Sequence, residues 1–247
     1  PLSAHAEITL EANPGTFEAQ RFEDYRALGI NRLSVGVQSF DNDALTALGR
    51  IHDSQQAIKA IETAHKVGFD NFNIDLMFGL PGQTAKSARH DIETALALEP
   101  SHLSYYQLTM EPNTLFHQKP PQLPDEDNII DWQLDNQQHL AQAGYMQYEV
   151  SAYAKENQQC QHNLNYWKFG DYIGIGAGAH GKISDAAQQS ITRRSKQKQP
   201  QAYLEHAGRD SVIQTNETIA ERDIGFEFML NALRLTDGFA TPLFYQH

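Results

Sequence analysis

The chain has 247 residues, enough for one large α/β domain or a main domain with a smaller attachment, and 19 Lys+Arg against 31 Asp+Glu leave a formal charge of -12. That charge repels phosphate backbones, which argues against nucleic acid as the main partner. A single cysteine, Cys160, excludes an internal disulfide framework and any cysteine-built cluster within these residues, and no apolar run approaches the roughly 20 residues of a membrane span, so a reducing, cytoplasmic setting without membrane spans is expected.

The segment EITLEA (7–12) alternates and is broken by NPGT, which predicts a strand followed by a helix over 17–28 that Gly29 ends. RLSVGVQSF (32–40) predicts the next strand, followed by a short helix near 42–48 and a longer one at 54–67 closed by Gly68. FNIDLMFGL (72–80) is nearly continuous in apolar character, as a strand covered on both faces would be, and PGQT leads from it into a helix over 85–98 that Pro100 stops. HLSYYQLTM (102–110) is a fourth strand. The order β-α-β-α-α-β-α-β implies a parallel sheet with right-handed crossovers.

Beyond this the texture changes. HQKPPQLPDED is a polar, Pro-rich bridge, a helix is predicted over 127–143, and 145–153 resembles one more strand. GDYIGIGAGAHGKIS carries five glycines, which suits a close backbone approach to a ligand or tight packing. The tail combines the basic stretch TRRSKQKQP, most simply a solvated loop, with a short helix at 201–206 and an amphipathic helix over about 219–233, and is expected to be part of a small helical domain.

In parallel barrels the C-terminal strand ends share one mouth. Glu11, Gln38 with Ser39, Asp75, and Gln107 or Thr109 occupy those ends here, so two carboxylates and several amide or hydroxyl groups are expected around one cavity. The set has neither a nucleophile–base pair nor metal-ligand spacing, and it suits a polyhydroxylated, zwitterionic ligand better than hydrolysis. For any one of these residues, capping a neighbouring turn is the plainer role.

The runs EANPGT, RLSVGVQSF, ALGRIHDSQQA and NIDLMFGLPGQT resemble successive motifs of the radical S-adenosylmethionine (SAM) family, in its oxygen-independent coproporphyrinogen III oxidase-like (HemN/HemW) group, and the likeness covers nearly the whole chain. The resemblance implies an α/β fold: the last four parallel strands of a partial (β/α) barrel over 1–118, an α+β extension over 119–183, and part of a small C-terminal domain over 184–247. It carries SAM binding onto Glu11, Gln38, Arg50 and Asp75, and onto Thr109, Ala179 and His180. Asp75 can accept from ribose hydroxyls, Gln38 can donate and accept, and Arg50 can fork onto a carboxylate. A solvated helix-end arginine and an ordinary loop histidine are the plainer readings of Arg50 and His180.

His162-Asn163-Leu164-Asn165-Tyr166-Trp167 resembles the HNxxYW motif of the HemW branch of heme chaperones. His162 would offer an imidazole nitrogen to heme iron, with Tyr166 and Trp167 presenting flat apolar surface to the porphyrin. A helix start followed by two core aromatics would look the same. The basic residues Arg193, Arg194, Lys196 and Lys198 are candidates for the porphyrin propionates.

The resemblance therefore implies a heme chaperone that binds heme and SAM and delivers heme to a hemoprotein acceptor. The alternative is an oxygen-independent coproporphyrinogen III dehydrogenase, which oxidatively decarboxylates propionates in porphyrin biosynthesis, and a remote one is an unrelated α/β-barrel enzyme. The family's [4Fe–4S] cluster needs three closely spaced cysteines, which these residues do not contain. The segment that holds it would precede residue 1, so the chain is expected to be N-terminally truncated, inactive in SAM cleavage as it stands, and open to homodimer formation through its first-strand edge.

Overall fold

The computed structural model describes residues 3–16 and 19–245, so the predicted helix over 17–28 begins outside the described residues. The chain divides into two compact units, Pro1–Cys160 and Gln161–His247. No helix among the described residues is long and apolar enough to cross a membrane.

The first unit is built on four strands, β1 (Thr9–Ala12), β2 (Arg32–Gln38), β3 (Phe72–Phe78) and β4 (His102–Gln107), all mutually parallel in that order. The connections carry α1 (Ala19–Ala27), α2 (Asn42–Ala47), α3 (Ser54–Lys66) and α4 (Ala85–Ala97). Their starts are written locally: Asp53 and Gln56 form a reciprocal capping box on α3, and Thr84 and Ser87 do the same on α4. At the end of α3, Gly68 adopts φ +84, and a Cβ there would strike the Arg26 guanidinium that donates to the Val67 carbonyl.

Strand alternation sorts the sheet into two chemical faces. Leu33, Val35, Phe72, Ile74, Leu76 and Leu103 are fully buried and pack with Ile61 of α3 and Ile92 of α4 in one core. The opposite face carries Glu11, Ser34, Asn73, Asp75, Ser104 and Tyr106. β3 is thus apolar only towards the helices, and its continuous appearance in sequence comes from Met77 on the polar side.

After a short helix α5 (Leu115–Gln118) and the long α6 (Glu126–Gln142), the segment predicted as one strand over 145–153 is instead a hairpin of β5 (Met146–Glu149) and β6 (Ala152–Ala154). β6 adds antiparallel to β4, giving the sheet order β1-β2-β3-β4-β6-β5. The irregular register between Gln147 and Glu149 buries both Tyr148 and Glu149, which breaks the alternation that a single strand would show.

The second unit opens with α7 (Gln161–Trp167) and contains an antiparallel sheet of β7 (His180–Asp185), β8 (Ser190–Lys196) and β9 (Ile213–Thr218), with α8 (Pro200–His206), α9 (Glu221–Ala232) and α10 (Thr241–Phe244). The expectation of a helical tail with a basic loop is corrected here: most of TRRSKQKQP is β8, and β9 went unread. Both strands present polar side chains, and only Ile191 of β8 enters the core, so neither has the apolar alternation that announces a strand. That core centres on Phe228 of α9, whose ring meets Phe169, Phe239 and Phe244 edge-on.

Candidate SAM and heme sites

Glu11, Gln38 and Asp75 line one cavity of about 320 Å³, together with Ala12, Asn13, Ser34 and Gly36. It lies at the polar face of β1–β3, where Glu11 stands beside Ser34 in register. Gly36 keeps it open, because a Cβ at that position would meet Gln38 Nε2 at 3.1 Å and Asn13 Oδ1 at 3.5 Å. Gln38 is held at φ +75, a left-handed conformation that costs a non-glycine residue on the order of 1 kcal/mol and is concentrated at functional sites. Its Oε1 accepts from the Tyr106 hydroxyl at 2.8 Å, which leaves Nε2 beside Gly36.

Arg50 follows the turn after α2 and donates from Nη1 to Asn13 Oδ1 at 3.3 Å, which places a cation next to a cavity-lining residue. Asp75 accepts from Asn73 at 2.7 Å and from Ser34 at 3.4 Å. Burial raises its pKa, and the charge of Glu11 pushes the same way against the lowering effect of its hydrogen bonds, that from Asn73 foremost. Two carboxylates, an amide and a nearby guanidinium can together receive hydroxyls, an ammonium and a carboxylate.

Other strand-end residues point elsewhere. Ser39 donates to the Asp91 carboxylate of α4, whose pKa burial pushes up to about 7, and so faces the helices. Gln107 and Thr109 line a different cavity of about 440 Å³ with Tyr105, Tyr106, Gln133 and Ser151, and Thr109 Oγ1 donates to Glu111. The β4 residue that reaches Gln38 is Tyr106, one pleat back from Gln107. Asn73, Ser104 and Tyr106 were missed in sequence, although each sits at the same alternate position as Asp75 on its strand.

In the second unit, α7 stacks the His162 ring edge-on against Tyr166 at 4.7 Å, four residues on, and Tyr166 in turn meets Tyr172 at 4.6 Å. His162 is exposed and Tyr166 half-buried. Trp167 makes a different contact, under the Arg234 guanidinium at 4.4 Å. Ala179 and His180 lead into β7; the Ala179 carbonyl accepts from Lys196 N, and the His180 carbonyl lies so close to Gly174 that a Cβ there would come within 2.0 Å. Of the basic run, Arg193 is paired with Glu227 at 2.6 Å and Arg194 donates to Asn216, so both are engaged within the unit.

The model of the radical SAM superfamily matches residues 2–95. The heme chaperone HemW of Escherichia coli (strain K12) is 51% identical over 96% of this chain, and that of Haemophilus influenzae is 50% identical over 94%. The chain is thus similar to the radical SAM superfamily over its first part and to the HemW heme chaperones over nearly all of its length. It spans 61% and 59% of the lengths of those two curated relatives. Among solved structures, the coproporphyrinogen III oxidase HemN of Escherichia coli superposes with a TM-score of 0.80 at 23% identity, covering 99% of this chain and 59% of that one, a likeness of fold.

The family implies SAM and a [4Fe–4S] cluster. The donor set around Glu11, Gln38 and Asp75, and the opening that Gly36 preserves, fit a zwitterionic nucleoside. The cluster finds no such fit here: among the described residues no group of three or more His, Cys, Asp or Glu side chains could hold a metal, and Cys160 is buried.

Proposed function

We propose that this chain is the larger part of a HemW-type heme chaperone, a protein that binds heme and SAM and passes heme to a hemoprotein acceptor. The observation that carries this reading is the 51% identity to a curated heme chaperone across almost the whole chain. In it, Asp75 and Glu11 receive the ribose hydroxyls or the methionine ammonium of SAM, Gln38 bridges donor and acceptor, and Arg50 takes the carboxylate. His162 is the heme-iron ligand, and Tyr166 and Trp167 give the porphyrin its apolar contact. The exposure of His162 and the ring contact that holds it against Tyr166 support an imidazole presented to a flat ligand.

The test is a hemin titration followed at the Soret band. The unmodified chain is expected to shift the band, and His162→Ala to lose the shift while keeping its circular dichroism. An unchanged shift in that variant would refute His162 as the ligand. Conversion of coproporphyrinogen III by the intact protein, without heme binding, would transfer the proposal to the porphyrinogen dehydrogenase, which shares the SAM cavity.

A further inference from the structure

Behind Asp75 lies a chain of buried polar groups that SAM binding alone does not require. Asn73 Nδ2 donates to Asp75 Oδ1 at 2.7 Å and to Ser34 Oγ at 2.9 Å. Asn73 Oδ1 receives Ser104 Oγ at 3.1 Å and lies 2.7 Å from His102 Nδ1. A carboxamide has two N–H donors and two lone pairs, so all four positions of Asn73 are used.

This saturation dictates the rest. Oδ1 only accepts, so His102 Nδ1 must carry a proton. His102 is fully buried near Arg32, and burial pushes its pKa down to about 3, so the ring is neutral and Nε2 is bare. The Tyr148 hydroxyl, 2.8 Å from Nε2, must then donate to it, and the Tyr148 oxygen is free to accept the Cys160 N–H at 3.3 Å. Every proton in the series points towards Asp75. Turning the amide over would face an N–H against the Nδ1 proton and an oxygen against the carboxylate, and the other imidazole tautomer would set two lone pairs 2.7 Å apart.

We propose that Tyr148, His102 and Asn73 form a hydrogen-bond relay of fixed polarity whose role is to hold Asp75 as an acceptor for the vicinal hydroxyls of a ribose. Asn73 occupies Oδ1, and Oδ2, approached by Ser34 at 3.4 Å, is the atom offered to the ligand. The three are positioning residues, spread over β3, β4 and β5, and they act through Asp75. The proposal rests on the reading of this cavity as a nucleoside site.

Two measurements test it separately from that reading. Long-range ¹H–¹⁵N spectra of the labelled chain are expected to show His102 as the neutral Nδ1–H tautomer at every pH from 5 to 8, and an Nε2–H or doubly protonated ring would overturn the relay whatever the cavity binds. Equilibrium binding of adenosine and of 2′,3′-dideoxyadenosine is then compared in the unmodified chain, Tyr148→Phe and His102→Leu. Loss of an oriented, charge-assisted acceptor is expected to weaken adenosine by about tenfold and the dideoxy analogue little, so that their affinity ratio collapses. Folded variants that keep the ratio overturn the proposal. If Asp75→Asn leaves adenosine binding unchanged, or the unmodified chain does not bind it, the nucleoside reading falls, and with it the assigned role, even where the tautomer is the expected one.

Discussion

Asp91 and His102 sit in the same unit with pKa values displaced in opposite senses, and their effects on stability should cancel until one is removed. Burial raises the Asp91 carboxyl from 3.8 to about 7, so this group takes up a proton on folding and its contribution is lost as pH climbs from about 4 to about 7. His102 is lowered from 6.5 to about 3, so it sheds a proton on folding, and its contribution is complete above about pH 6.5 and lost as pH falls towards 3. Between about pH 4 and 6.5 each shifts unfolding free energy by ~1.4 kcal/mol per pH unit, with opposite signs. Asp91→Asn keeps an acceptor oxygen for the Phe40 N–H, a 2.6 Å bond, and exposes the histidine slope alone: stability should rise with pH by ~2 kcal/mol from pH 4.5 to 6.5. His102→Leu should reverse that slope. The assay is urea unfolding at three pH values, followed by the fluorescence of Trp132 with Trp167 replaced by Phe in all chains. Other titrating groups contribute the same background to each, so parallel profiles for the three proteins would refute the opposed protonation of these two sites.

Two predictions concern the second unit. Gly174→Ala would drive a methyl to within 2.0 Å of the His180 carbonyl oxygen, a backbone atom that cannot step aside, so the unit should lose about 2 kcal/mol or more, measured as a lowered urea midpoint; an unchanged midpoint would contradict the close approach. Phe228→Ala empties the centre of a four-ring cluster and should cost about 3–5 kcal/mol, seen as rapid protease cleavage within 161–247 while the first unit stays resistant.

The first 110 residues were legible because each signal agreed with its neighbours. Alternation over 7–12 and the apolar runs after it marked the strands, PGQT led into the helix that Thr84 caps, and glycines at 29 and 68 marked helix ends. The later strands gave no such agreement. β6 is three residues long and is reached through a register break, and β9 exposes nearly every side chain, so its pairing with β8 rests on backbone hydrogen bonds that leave no period in the sequence. A strand without a buried face looks like a loop from its residues alone.

The cavity was half legible for a related reason. A carboxylate such as Asp75 in an apolar run stands out, because burying it carries a cost that only a partner or a ligand offsets. Asn73, Ser104 and Tyr106 share the pleat of Asp75 and were hidden, since a lone amide, hydroxyl or phenol in a strand carries no such warning. Their meaning came from register: β3 sets Asp75 beside Ser104 and Asn73 beside His102, and three unremarkable residues from two strands join Asp75 in one polar layer. Leu76 and Tyr105, on the opposite pleat, pack into the apolar core. The candidate ligand groups therefore lie on one face of the sheet and the apolar core on the other, and substitutions at Glu11, Gln38 and Asp75 are expected to change ligand selectivity before they change the fold.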